Sequence, residues 1–219
     1  MAHDWDWVGA DASFKRALAL EPGSAAVVRF TADLALALGR SEEALALYRQ
    51  SVELDPLSAD TQWALGVAAL YAGRLEEAVA GFNKALELNP GYASARVFLG
   101  RVYLARSHPQ EALTEMDREP ELYWRLYGQA LAYHALGRKK EAEAALAELT
   151  AKHAATAPFQ IACVYAFRGE SDRAFEWLER SYTQADTGLV WLKADPHLKS
   201  LEHDPRWAAF LKKMRLPLD

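Results

Sequence analysis

The chain repeats itself with a period of 34 residues. Three stretches, Ala17-Leu18-Ala19-Leu20-Glu21-Pro22, Ser51-Val52-Glu53-Leu54-Asp55-Pro56 and Ala85-Leu86-Glu87-Leu88-Asn89-Pro90, align with their prolines 34 residues apart. A period of this size is one supersecondary unit, which buries its apolar face only by stacking on the next copy. A second ladder follows the first: Gly39, Gly73, Ser107, Gly137 and Gly169, at spacings of 34, 34, 30 and 32. Five residues after each stands an alanine, namely Ala44, Ala78, Ala112, Ala142 and Ala174, and Ala10 holds the same register before Pro22. Seven residues before each stands a small residue: Ala32, Gly66, Gly100, Ala130 and Ala162.

Packing explains the ladder. Two helices approach to about 8–10 Å only where the side chains at their crossing are small. Each unit therefore reads as an antiparallel hairpin of a first helix, A, and a second, B. The glycine ends helix A, where a left-handed residue is least costly. Ser41 and Ser171 are placed to cap helix B, and Glu42-Glu43 and Glu76-Glu77 fall in its positively polarised first turn. The proline after helix B separates the units. Four residues beyond each helix B alanine come Phe14, Tyr48, Phe82, Met116, Leu146 and Leu178, a spacing that turns them to the core.

Composition agrees. Alanine supplies 42 of 219 residues, only two asparagines occur, and few stretches alternate as strands do, so the fold class is all-α. A net charge of −5 argues against binding nucleic acid backbone. The lone Cys163 forms neither an internal disulfide nor a cysteine zinc site. Every long apolar stretch carries charges, and the acidic start, Met1 to Asp6, lacks a signal-peptide core, so a cytoplasmic location is expected.

This pattern resembles the tetratricopeptide repeat (TPR), with residues 59–92 as its best unit through Leu65-Gly66, Gly73, Ala78, Phe82, Ala85 and Pro90. The resemblance implies one right-handed α-solenoid domain over 1–219: a half repeat at 5–22, repeats at 25–58, 59–92, 93–122, 123–154 and 155–186, and a helical capping segment at 187–219. Glu119-Pro120 is expected to shorten one helix B. In the last segment, Asp195-Pro196 and Asp204-Pro205 each read as a turn opening a helix, with Asp as cap and Pro at the first helical position. This ending, and the Asp4-Trp5-Asp6-Trp7 opening, also resemble TPR lobes at the C-termini of bacterial signalling proteins. Those proteins carry a winged-helix, kinase or nucleotide cyclase domain, which implies a piece of a larger regulator acting in signal transduction.

No catalytic constellation emerges. None of the six histidines forms a zinc-helix motif, and no phosphate loop or nucleophile elbow is present, so neither enzyme nor cofactor nor metal chemistry is expected. Cys163 reads as a small buried thiol. Asp4 with Asp6, and His197 with His203, read as solvated termini and turn residues rather than metal ligands.

The concave face is the candidate site. The family's groove positions carry over to Arg29 and Asp33, Trp63 and Tyr71, Arg101, Trp124, Tyr127, Leu131 and His134, and Phe159 and Phe167. The set is rich in aromatics and poor in charge, as contact surfaces are. Three accounts of it stand side by side: an exposed groove, a groove covered by 187–219, and ordinary interhelix core. No asparagine lies on a helix A, which excludes the family's carboxylate clamp for chaperone tails and its asparagine ladder. The expected function is a scaffold-like interaction module binding a peptide or helix of a protein partner. The alternative is a sensor lobe that binds a small molecule or another domain of its own chain around Trp124, Tyr127, His134 and Phe159. Residues 5–20 lack a preceding helix A, so self-association through this helix, or Trp5 and Trp7 folding back as a local cap, is expected to cover its apolar face.

Overall fold

The computed structural model describes residues 5–218, in helices joined by turns and short irregular stretches, with no strand among the described residues. His3 and Asp4 lie outside the described residues. A leading helix, α1 (Trp7–Leu20), precedes five antiparallel pairs: α2 (Ala25–Ala37) with α3 (Ser41–Leu54), α4 (Ala59–Tyr71) with α5 (Leu75–Leu88), α6 (Ala95–Ala105) with α7 (Pro109–Asp117), α8 (Leu122–Ala135) with α9 (Lys139–His153), and α10 (Pro158–Phe167) with α11 (Ser171–Thr183). Two 3-10 helices, Thr187–Trp191 and Pro196–Leu201, lead to α12 (Pro205–Lys213).

The repeat chemistry acts as its spacing requires. Gly39, Gly73, Gly137 and Gly169 have φ between +71° and +80°, and Ser107 stands in at +62°. After each, a backbone N–H reaches back to the helix, as Arg40 N–H does to Ala35 O at 2.8 Å and Arg74 N–H to Ala69 O at 2.8 Å. This tight turn leaves no room for a serine cap. Ser41 and Ser171 are the first helical residues, and Arg40 and Glu170 hold the cap positions without a side-chain bond. The capping expectation for both serines is corrected accordingly. The serines that do cap are Ser24 and Ser58, at the starts of α2 and α4. Helix α7 is short, at 9 residues, where Glu119-Pro120 follows it.

At the crossings the small residues are buried, and the large residue four positions on fills the space beside them. A Cβ on Gly66 would meet Phe82 at 2.7 Å, and one on Gly100 would meet Met116 at 2.8 Å. Helices α4 and α5 touch backbone to backbone: a Cβ on Gly81 would lie 2.8 Å from the Gln62 carbonyl and 2.9 Å from Gly66 Cα. Gly81→Val is therefore expected to cost about 1–3 kcal/mol by overpacking, read as a lower urea midpoint. An unchanged midpoint would contradict this helix register.

The segment after α11 does not simply cap the last repeat. It enters the concave face. Residues Thr187–Trp191 lie against α2, α10 and α11, and Pro196–Leu201 runs along α10. Helix α12 then packs beside α11, with Phe210 on Tyr182 and Lys213 paired to Glu179. The chain's two ends meet there. Trp7 Nε1 donates to Met214 O at 2.7 Å, Trp5 stacks on Trp7, and Phe14, Leu34 and Leu38 share one core with Met214 and Leu216. Helix α1 thus has a second neighbour within its own chain, where the sequence suggested another copy or a local fold-back of the two tryptophans.

Candidate functional site

The concave face is built by the first helices of the pairs, and Tyr71, Arg101, Tyr127, Phe159 and Phe167 of the family register all meet the segment that follows α11. What lies between them is the chain itself. Asp195, at the start of the second 3-10 helix, is the anchor. Its Oδ1 accepts from Arg101 Nη2 at 2.6 Å and from the His197 backbone N–H at 2.9 Å, and its Oδ2 accepts from Tyr71 Oη at 3.0 Å. The side chains of Arg101 and Asp195 are only 3% and 2% exposed. An ion pair this deep is held by geometry and completed hydrogen bonds, because desolvation opposes both charges. Burial alone would raise the Asp195 carboxyl, but the Arg101 charge and the hydrogen bonds outweigh it and hold the pKa below the ordinary value.

Other contacts close round this pair. His197 Nδ1 lies 3.4 Å from Tyr127 Oη, and its ring packs 4.9 Å from that of Phe167. Burial first, then Arg101, push the His197 pKa down to about 3, so the ring is neutral. Burial, then the Asp195 charge, push the Cys163 thiol well above its ordinary value, which makes it a poor nucleophile. Asp186 fixes the turn into the groove by accepting from Phe159 N, Ser181 Oγ and Gly188 N. Gly188 is needed there, since a Cβ would sit 2.8 Å from Phe159.

The sequence-assigned residues divide into three groups. Tyr71, Arg101, Tyr127, Leu131 and Phe159 are buried, and Phe167 is partly buried against His197. Trp63 and Trp124 are half-buried in an aromatic wall, where Trp63 meets Phe98 at 5.4 Å and Trp191 at 6.5 Å, and Trp124 meets Tyr123 at 4.8 Å. Arg29 and Asp33 are half-buried as an ion pair on α2, where Asp33 Oδ1 also accepts from Tyr48 Oη at 2.5 Å and Arg29 stacks 4.2 Å over the exposed Phe30, while His134 is exposed. Of the two histidines weighed as metal ligands, His197 is inside the groove and His203 is exposed. Asp195, Trp191 and Tyr123 were missed. The available signal was Arg101 itself: an arginine in an apolar helix face needs a carboxylate, and none lies near it in sequence.

On either side of Arg101 the filled groove keeps a cavity. One, of about 180 Å³, is walled by Trp63, Phe98, Tyr123, Trp124, Phe159 and Trp191. The other, of about 330 Å³, lies among Leu70, Leu104, Phe167, His197 and Ser200.

Paired helices with small crossings, left-handed turns and a concave aromatic face define an α-solenoid. Three family models described as tetratricopeptide repeat match residues 6–59, 69–121 and 126–156, together more than half of the chain. The chain belongs to the tetratricopeptide repeat family. Solved structures agree in fold. A thermophilic TPR protein of Thermus thermophilus is 20% identical, with a TM-score of 0.61 over 86% of this chain and 100% of that one. A TPR protein of Parabacteroides merdae is 20% identical, with a TM-score of 0.56 over 96% and 86%. YrrB, a TPR protein with an unusual peptide-binding site, is 23% identical, with a TM-score of 0.50 over 81% and 95%. No curated protein matches the chain. Among the described residues, no helix is long and apolar enough to cross a membrane.

Proposed function

We propose that the chain is a protein-interaction module whose concave face takes a polypeptide segment. Residues 187–201 are its resident occupant, and the mouth at Arg29, Phe30, Asp33 and Trp63 is the contact left for a partner. The observation that carries this reading is the seating of Asp195 on Arg101 and Tyr71: the groove recognises a turn of polypeptide by one buried carboxylate and a row of aromatic rings. Such anchors are the residue types that dominate binding energy at interfaces. Membership of the TPR family, and a fold shared with a protein that has a peptide-binding site, support the same class of partner. The resemblance of both chain ends to lobes of bacterial signalling proteins supports a regulatory setting.

Site-specific photocrosslinking tests this. With p-benzoylphenylalanine in place of Phe30, one recurring protein is expected to be captured in cells, and not captured from Lys140 on the outer helix α9. Equal capture at both positions, or none at Phe30, would contradict a partner at the mouth.

A further inference from the structure

We infer that the smaller cavity, between the groove wall and the resident segment, is a binding site for a flat, uncharged heteroaromatic molecule of one or two rings that presents hydrogen-bond acceptors to Arg101 and Trp63. Two independent observations meet there. Arg101 is almost wholly buried and commits Nη2 to Asp195, yet its Nε–H finds no acceptor among the described residues. Trp63 Nε1–H is also buried and also finds none. Both residues line the same cavity of about 180 Å³. Buried donors without partners are uncommon in folded proteins, and two at one cavity mark a place for an acceptor.

The surroundings define the ligand's chemistry. The carboxylates beside the cavity are already engaged, Asp195 by Arg101, Tyr71 and His197 N–H, and Asp186 by Phe159 N, Ser181 and Gly188 N. The site therefore offers the two free donors, with Thr156, Gln160 and Thr187 in its lining able to donate or accept, while two carboxylates against one guanidinium give it no net positive charge, which disfavours an anion. Its walls are faces and edges of Trp63, Phe98, Tyr123, Trp124 and Trp191, with neighbouring ring centroids 4.8–6.5 Å apart. Such walls favour an offset-stacked flat ring. The volume is below the roughly 300–1,000 Å³ of sites for drug-sized molecules, which limits the ligand to one or two rings.

The matched probes are benzimidazole and indole, which differ by one ring nitrogen acceptor, with adenine as a probe carrying several acceptors. In the full chain, benzimidazole and adenine are expected to raise the melting temperature saturably. They are also expected to move one indole N–H resonance in a nitrogen-15 correlation spectrum, with indole binding at least about tenfold more weakly. Incorporating 3-benzothienylalanine in place of Trp63 keeps a fused bicyclic ring of nearly the same shape and removes only the unpartnered donor. It should delete that resonance, leave the stability of the free chain unchanged or raised, and weaken benzimidazole about tenfold. No saturable binding by either acceptor probe at millimolar concentration would overturn the proposal. So would indole binding as tightly as benzimidazole, or unchanged affinity in the chain carrying 3-benzothienylalanine in place of Trp63.

Discussion

Asp195→Ala is expected to lower the unfolding free energy by about 3–5 kcal/mol, because it leaves the Arg101 guanidinium buried without its counter-charge. For a chain of 219 residues, at about 2–4 °C per kcal/mol, this is a fall of roughly 6–20 °C in melting temperature. The same change removes the acceptor for Tyr71 Oη and for the His197 N–H that opens the 3-10 helix. The double replacement Arg101→Met with Asp195→Leu removes both charges, and buried pairs replaced by apolar groups are often near neutral. The double variant is therefore expected to be more stable than Asp195→Ala alone, though short of the parent because Tyr71 stays unpaired. Calorimetry on the three proteins reads this directly. A double variant weaker than the single one would show that the ion pair itself is not what the segment depends on.

Acid is expected to loosen the groove well before carboxylates titrate in bulk. His197 faces Arg101, Asp195 and Tyr127, and its folded pKa is near 3 against an ordinary 6.5. Between these values the unfolded chain binds a proton that the folded chain refuses, so stability falls as pH falls. The slope is about 1.4 kcal/mol per pH unit below 6.5, or about 2 kcal/mol lost by pH 5 from this group. Asp195 works in the same direction at lower pH, since its depressed pKa contributes stability above 3.8 that is lost in stronger acid. His197→Phe fits beside Phe167 and should flatten the profile between pH 7 and pH 5. A parent and variant with parallel profiles would contradict a neutral, buried His197.

The repeats were legible because their determinants are local. A glycine at positive φ, an alanine five residues on and a large side chain four beyond it act within one hairpin, so the spacing alone places Gly66 against Phe82 and Gly100 against Met116. The serine caps were misread by one position because the tight turn after each glycine gives the cap to Arg40 or Glu170. The groove residues were legible as a set, through register on helix A, but their occupant was not. Arg101 finds Asp195 across 94 residues, and Trp7 finds Met214 across 207. No periodicity carries a contact of that range. Asp195-Pro196 was readable only as a turn and cap, which it is, and its carboxylate does this while also neutralising Arg101. The unpaired donors of the smaller cavity have no signature in the sequence at all.

Residues 187–201 lie inside the groove of their own chain, and the anchor at Asp195 and the cavities beside Arg101 exist only because they do. The most direct measurement is the set of nuclear Overhauser contacts from the Trp191 ring, whose centroid lies 6.5 Å from that of Trp63 and 6.2 Å from that of Tyr71. Cross-peaks from Trp191 ring protons to both rings are predicted for the parent chain, and their loss for Asp195→Ala. A Trp191 ring without contacts to Trp63 and Tyr71 in the parent chain would contradict the filled groove.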